Sequence, residues 1–173
     1  MFSKVLFAQL VSLLVAAGIG MGCAPDEDEA SVKNQSLITR LDEAFYSLPC
    51  PPGLERESEK NVEARLELSR IEALRGKVDV VAAYRAAVNL HQLAECKNLP
   101  ELKPEAELAY GAFRSRVAGN VLGASRARSL GDMARERRLL SELSEMVRPL
   151  LPEDAARADQ RVRRIDVALV AER

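Results

Sequence analysis

Three residues, Gly76-Lys77-Val78, separate two stretches of helical periodicity, at about 54–75 and about 80–96. A connection that short forces the two helices to fold back as an antiparallel hairpin. In the first stretch Val62, Leu66, Ala73 and Leu74 line one face, with Ile71 beside them. Glu63, Glu67 and Arg70 fall on the other side, at spacings that suit a solvated helix surface. Gly76 is placed to stop this helix, and Asp79 can cap the next. There, Val81, Tyr84, Val88 and His91 share a face that Ala87 and Ala94 fill.

The hairpin decides how the cysteines are read. Cys50 lies just before the first of its helices, in Pro49-Cys50-Pro51-Pro52-Gly53, and Cys96 ends the second. In an antiparallel pair those two ends lie side by side. A Cys50–Cys96 disulfide is therefore expected, clipping the open end of the hairpin.

The flanking sequence repeats the pattern. A helix over about 31–48 carries Leu37, Leu41, Ala44, Phe45 and Leu48 as one stripe, and the prolines after it end it. A connector from Asn98 leads to Pro104, which suits a first helical turn. A fourth helix is expected to about 129, its inner face formed by Leu108, Ala112, Ser115, Gly119 and Leu122, where Gly119 and Gly123 could kink or interrupt it. Leu130-Gly131-Asp132 reads as turn and cap. A fifth helix then carries Glu136, Leu140, Leu143, Val147 and Leu150 in line. After Leu151-Pro152, a sixth repeats Ala155, Ala158, Val162, Ile165 and Leu169 at alternating three and four residues. No stretch alternates long enough for a strand. The fold class is all-α, five to six helices stacked as antiparallel hairpins, in a chain rich in Ala, Leu, Arg and Glu and without Trp.

Met1–Cys23 is an export address. Lys4 supplies a short positive region, Val5 to Ala17 is apolar, and Gly18, Gly20 and Gly22 lead into Cys23. The segment resembles a bacterial lipoprotein precursor: Gly22 is the small residue that family places before its cysteine, while Gly20 and Met21 depart from its pattern. The resemblance implies cleavage before Cys23, a diacylglyceryl thioether on Cys23, and acylation of its new amino group. Two or three acyl chains anchor stably, at about 0.8 kcal/mol per buried methylene. An uncleaved membrane helix over 5–22 and a secreted form cleaved without lipid are the alternatives. All three place residues 24–173 outside the cytoplasm. The layout expected is a signal peptide at 1–22, the lipidated cysteine and an acidic tether at 23–30, and one α-helical domain at 31–173. Ala24 after the cysteine leans toward outer-membrane sorting.

Leu74-Arg75-Gly76-Lys77-Val78 and Leu130-Gly131-Asp132-Met133 each lead into an amphipathic helix. These segments resemble the helix–turn–helix of tetratricopeptide repeats, with Gly131-Asp132 at the family's usual turn and Leu140 at a position usually aromatic or aliphatic. The resemblance implies a concave groove for a protein partner.

Residues 24–110 carry 11 basic and 17 acidic groups, and residues 111–173 carry 13 and 9, the former all Arg. This balance, in an exported chain, gives no reason to expect nucleic acid. Arg157, Arg161 and Arg164 on the last helix, and Arg135 and Arg138 on the fifth, form a basic face. It reads either as a solvated surface balanced by Asp154, Glu136 and Glu142, or as a dock for an acidic partner. His91, the one histidine, has Glu95 four residues on. Two such groups make a poor metal site, and no HExxH, CxxCH, GxSxG or phosphate-binding loop is present. No cofactor or metal is expected. The function expected is a non-catalytic helical scaffold for an envelope protein partner, an adaptor or pilotin-like accessory held to the membrane through its lipid. A small-ligand or catalytic site around Tyr84, His91 and Glu95 is the alternative, and a structural spacer bound to the cell wall a third reading.

Overall fold

The computed structural model describes the backbone of residues 27–171 and the side chains of residues 37–171. The export segment, Cys23 and the first half of the expected tether lie outside these residues. The architecture is all-α: six helices pack against one another, with no strand among the described residues. They are α1 (Glu27–Tyr46), α2 (Glu59–Arg75), α3 (Val80–Cys96), α4 (Lys103–Ser129), α5 (Met133–Val147) and α6 (Pro152–Ala171). From α2 onward each helix packs on the next, and α1 lies against α4. Among the described residues no helix is long and apolar enough to cross a membrane.

Local chemistry sets most boundaries. The side chains of Ser58, Asp79 and Asp132 cap α2, α3 and α5 by accepting from backbone N–H groups one turn in. Asn98 takes the left-handed conformation after α3 (φ 52°), and the N–H of Leu99 returns to the carbonyl of Ala94. Gly131 (φ 71°) does the same work in the α4–α5 turn. α1 begins at Glu27, so the acidic run 27–29, expected as tether, forms its first turn, where acidic sequence suits the positive helix end.

The main core joins Leu37, Leu41 and Phe45 of α1 to Leu90 of α3, Phe113 and Val117 of α4, and Val147 of α5. The alanines of α3, including Ala83, Ala86 and Ala87, let its neighbours come close on several sides. A smaller cluster, Leu54, Leu93, Ala94 and Leu102, fills the end of the hairpin beside Cys96. There Cys50 and Cys96 are joined, with their Cα atoms 5.8 Å apart. Lys97 Nζ donates to the carbonyls of Glu55 and Glu57, and Gln92 Nε2 to that of Pro49, laying the Pro-rich segment and the turn after it along the end of α3.

Four expectations are corrected. Leu108, Ala112, Ser115, Gly119 and Leu122 all face outward; the buried side of α4 carries Ala109, Tyr110, Phe113, Val117, Asn120 and Ala124 instead. Bulky Tyr110, Phe113 and Val117 alternate there with small alanines in the space between α4 and its neighbours. α4 also runs unbroken through Gly119 and Gly123, since packing against α3 and α5 holds it where propensity alone is weak. On α2, Val62, Leu66 and Ala73 pack inward as expected, but Ile71 and Leu74 are exposed and the inner side also holds Ser69 and Glu72; at the start of α3, Val81 is exposed as well. Ser69 Oγ donates to the Arg65 carbonyl, and Glu72 Oε1 meets Arg85 Nε at 2.8 Å, while Glu72 Oε2 is buried without a hydrogen-bond partner.

Candidate functional site

α1 and α4 cross beside a shallow groove of about 420 Å³, lined by Asp42 and Tyr46 from α1 and by Glu107, Tyr110, Gly111 and Arg114 from α4. Helical spacing of three and four residues brings each set onto one face. The floor is fixed by a charged fork. Arg114 Nε donates to Asp42 Oδ1 at 2.8 Å and its Nη2 to Oδ2 at 3.1 Å, while Tyr110 Oη donates to Oδ1 at 2.8 Å. Burial raises the Asp42 carboxyl, but these donors and the Arg114 charge outweigh it and hold it below the usual carboxylate range. Burial, the bond to Asp42 and its charge together push the Tyr110 phenol far above its ordinary range. Tyr110 is therefore a permanent donor here and not a base.

Behind the groove lies an aromatic stack. The Phe45 and Tyr110 rings are parallel with centroids 3.9 Å apart, and His91 lies 4.9 Å from Phe45. Tyr46 stands edge-on to both His91 and Tyr110, and the residue is 55% exposed. Gly111 leaves the groove open at its middle: a Cβ there meets no atom within 4 Å.

The residues that sequence brought forward lie elsewhere. Tyr84 packs against Phe113, and burial raises its phenol. His91 is buried in the stack; burial lowers its pKa, with the charge of Glu95 opposing and that of Lys103 assisting. Glu95 is exposed and paired with Lys103 at 2.9 Å, which holds its carboxyl low. None of the three lines the groove. Among the described residues no three His, Cys, Asp or Glu side chains gather as a metal site.

The basic face is divided. Arg161 turns onto α5, where Nε donates to the buried carboxylate of Glu136 at 2.8 Å. Arg157 pairs along its own helix with Asp154 and Glu153. Arg135, Arg138 and Arg164 are exposed and carry no ion pair among the described residues. Four further cross-helix pairs use arginine: Arg40 with Asp154, Arg70 with Glu105, Arg137 with Asp166 and Arg148 with Asp159.

Sequence reasoning passed over the groove. Its signal was present in two of the three tyrosines, each four residues from a charged partner, as in Asp42–Tyr46 and Tyr110–Arg114. No protein-family model, curated protein or solved structure matches the chain.

Proposed function

We propose that this chain is an envelope lipoprotein, held at the membrane through Cys23, whose helical body is a non-catalytic scaffold for an envelope protein. The export segment and its terminal cysteine support the anchor. The observation that carries the docking role is the half-exposed Tyr46 at the α1–α4 groove, beside the Arg114–Asp42 fork. Tyrosine and arginine supply binding energy out of proportion to their number in interfaces, because each offers a large apolar body with a polar tip. The groove is preorganised, since its acid, base and phenol already hold one another.

A small organic ligand in the same groove is the second reading. The groove's volume falls within the range of about 300–1,000 Å³ usual for such sites.

The test is in-cell cross-linking of the tagged full-length chain, comparing the native protein with Tyr46→Ala and Gly111→Arg. Both substitutions alter the groove without entering the core. A partner recovered with the native chain and lost with both variants supports the scaffold. Equal recovery from all three, or none from the native chain, overturns it. In parallel, Cys23→Ser should release the protein from membranes and abolish incorporation of labelled fatty acid.

A further inference from the structure

α2 presents an apolar face on which no other part of the described chain lies. Leu68, Ile71 and Leu74 are 54%, 49% and 69% exposed, and the strip continues across the turn to Val78 and Val81. Single exposed apolar residues need no explanation, but a run at helical spacing marks a contact surface. This face is separate from the α1–α4 groove.

The sequence of the strip names its occupant. Residues 67–75 read Glu-Leu-Ser-Arg-Ile-Glu-Ala-Leu-Arg. About Ile71 the order is a palindrome in size with charge reversed: Leu68 matches Leu74, Glu67 matches Arg75, and Arg70 matches Glu72. A two-fold axis through Ile71 runs a second α2 antiparallel to the first. Ile71 then meets its own copy, Leu68 faces Leu74 of the second copy, and Glu67 stands level with Arg75 of the second copy. An isologous contact requires this relation, in which residue i meets j and j meets i. The charges are available for it. Glu67 has no ion pair among the described residues, and Arg75 only a long one, 3.9 Å to Asp79. The inner pair is already bound within the chain, Arg70 to Glu105 and Glu72 to Arg85. The outer pair alone therefore distinguishes antiparallel from parallel association, in which Glu67 meets Glu67 and Arg75 meets Arg75.

We propose that the exposed face of α2 is a homodimer interface, formed by two copies of the chain across a two-fold axis at Ile71.

The experiment uses the full-length protein in membranes and in detergent. Ile71→Cys places a thiol on the axis, and mild oxidation should link it to its copy. Leu108→Cys, also exposed and apolar but on α4, should link far more slowly. Charge reversal supplies the second arm. Glu67→Arg acts twice across the axis and should weaken the dimer about tenfold in sedimentation. Adding Arg75→Glu to the same chain restores opposite charges and should restore the dimer. All these positions are exposed, so a thermal melt like that of the native protein establishes folding. A monomer in detergent whose Ile71→Cys links no faster than Leu108→Cys overturns the proposal. So does an Ile71→Glu variant that leaves self-association unchanged while losing binding to phospholipid vesicles, which assigns the face to a lipid surface.

Discussion

Glu136 and Arg161 form a fork across the α5–α6 hairpin, Nε to Oε1 at 2.8 Å and Nη2 to Oε2 at 3.3 Å, with the acid only 3% exposed. A buried carboxylate that loses its partner retains its desolvation cost, whereas replacing both charges by apolar groups removes it. Arg161→Met alone should lower stability by about 3 kcal/mol, a figure at the low end for buried pairs because Arg161 is partly solvated. Arg161→Met with Glu136→Leu should recover most of the loss. Urea denaturation of the two variants checks this. Equal losses from both would mean that the side-chain packing matters and the charge does not.

The Cys50–Cys96 bridge closes a loop that contains the whole α2–α3 hairpin, with the two cysteines 46 residues apart. In the chain-entropy account, such a loop stabilises the folded state by about 4 kcal/mol. Reduction, or the double substitution Cys50→Ala with Cys96→Ala, should lower the urea midpoint accordingly. The loss should appear first at the open end of the hairpin, where Leu54 and Leu93 pack beside the bridge. Hydrogen exchange should then show α2 opening ahead of α4.

The hairpin, the bridge and the stripes of α5 and α6 were legible because each depends on residues close in sequence or on one short turn. α3 runs from Val80 to Cys96, the interval that its cap and its apolar spacing predict. The inner face of α2 was legible only in part, since Val62, Leu66 and Ala73 pack inward as expected while Leu74 does not, and that of α4 was not legible. α2 has apolar residues on both sides, and what turns Leu68, Ile71 and Leu74 outward is the fit of Ser69, Glu72 and Gly76 against α3. On α4, apolar and small residues encircle the helix, so periodicity allows more than one face. The choice follows from Phe45, which stacks on Tyr110 from the distant α1. The groove escaped notice for the same reason: Asp42 and Arg114 are 72 residues apart and meet only through that crossing.

Two glycines make a contrasting pair. Gly76 adopts ordinary helical dihedrals, so it is not there for a left-handed turn. A Cβ on it lies 2.8 Å from both Cα and Cβ of Ala83, so the backbones themselves must part. Gly76→Ala should destabilise by about 1–3 kcal/mol, as overpacking does. Gly119 sits exposed inside α4, and a Cβ there meets nothing within 4 Å. Gly119→Ala should stabilise by about 0.5–1 kcal/mol through reduced backbone freedom in the unfolded chain. Opposite shifts in thermal midpoint are the expected result, and shifts of the same sign would contradict the packing at Ala83.

His91 gives the fold an acid sensitivity near neutrality. Burial among Phe45 and Tyr46 lowers its pKa from the ordinary 6.5, and the Lys103 charge adds to this against the pull of Glu95. The folded state therefore takes up its proton at lower pH than the unfolded chain does. Where the unfolded state binds more protons, stability rises with pH. The contribution is fully present above about pH 6.5 and is lost as pH falls toward the depressed folded value. The carboxylates held low by their partners, Asp42, Glu95 and Glu105, act with the same sign but in the carboxylate range, below their ordinary values of 3.8 and 4.5. The two windows are thus separable. Thermal midpoints of the native chain should fall between pH 7.5 and 5.5, a span about the ordinary histidine value. His91→Gln, which carries no titrating group, should flatten that span while leaving the decline at lower pH intact. A native profile already flat over the span, or a His91→Gln profile as steep as the native one, would remove the buried histidine as its cause.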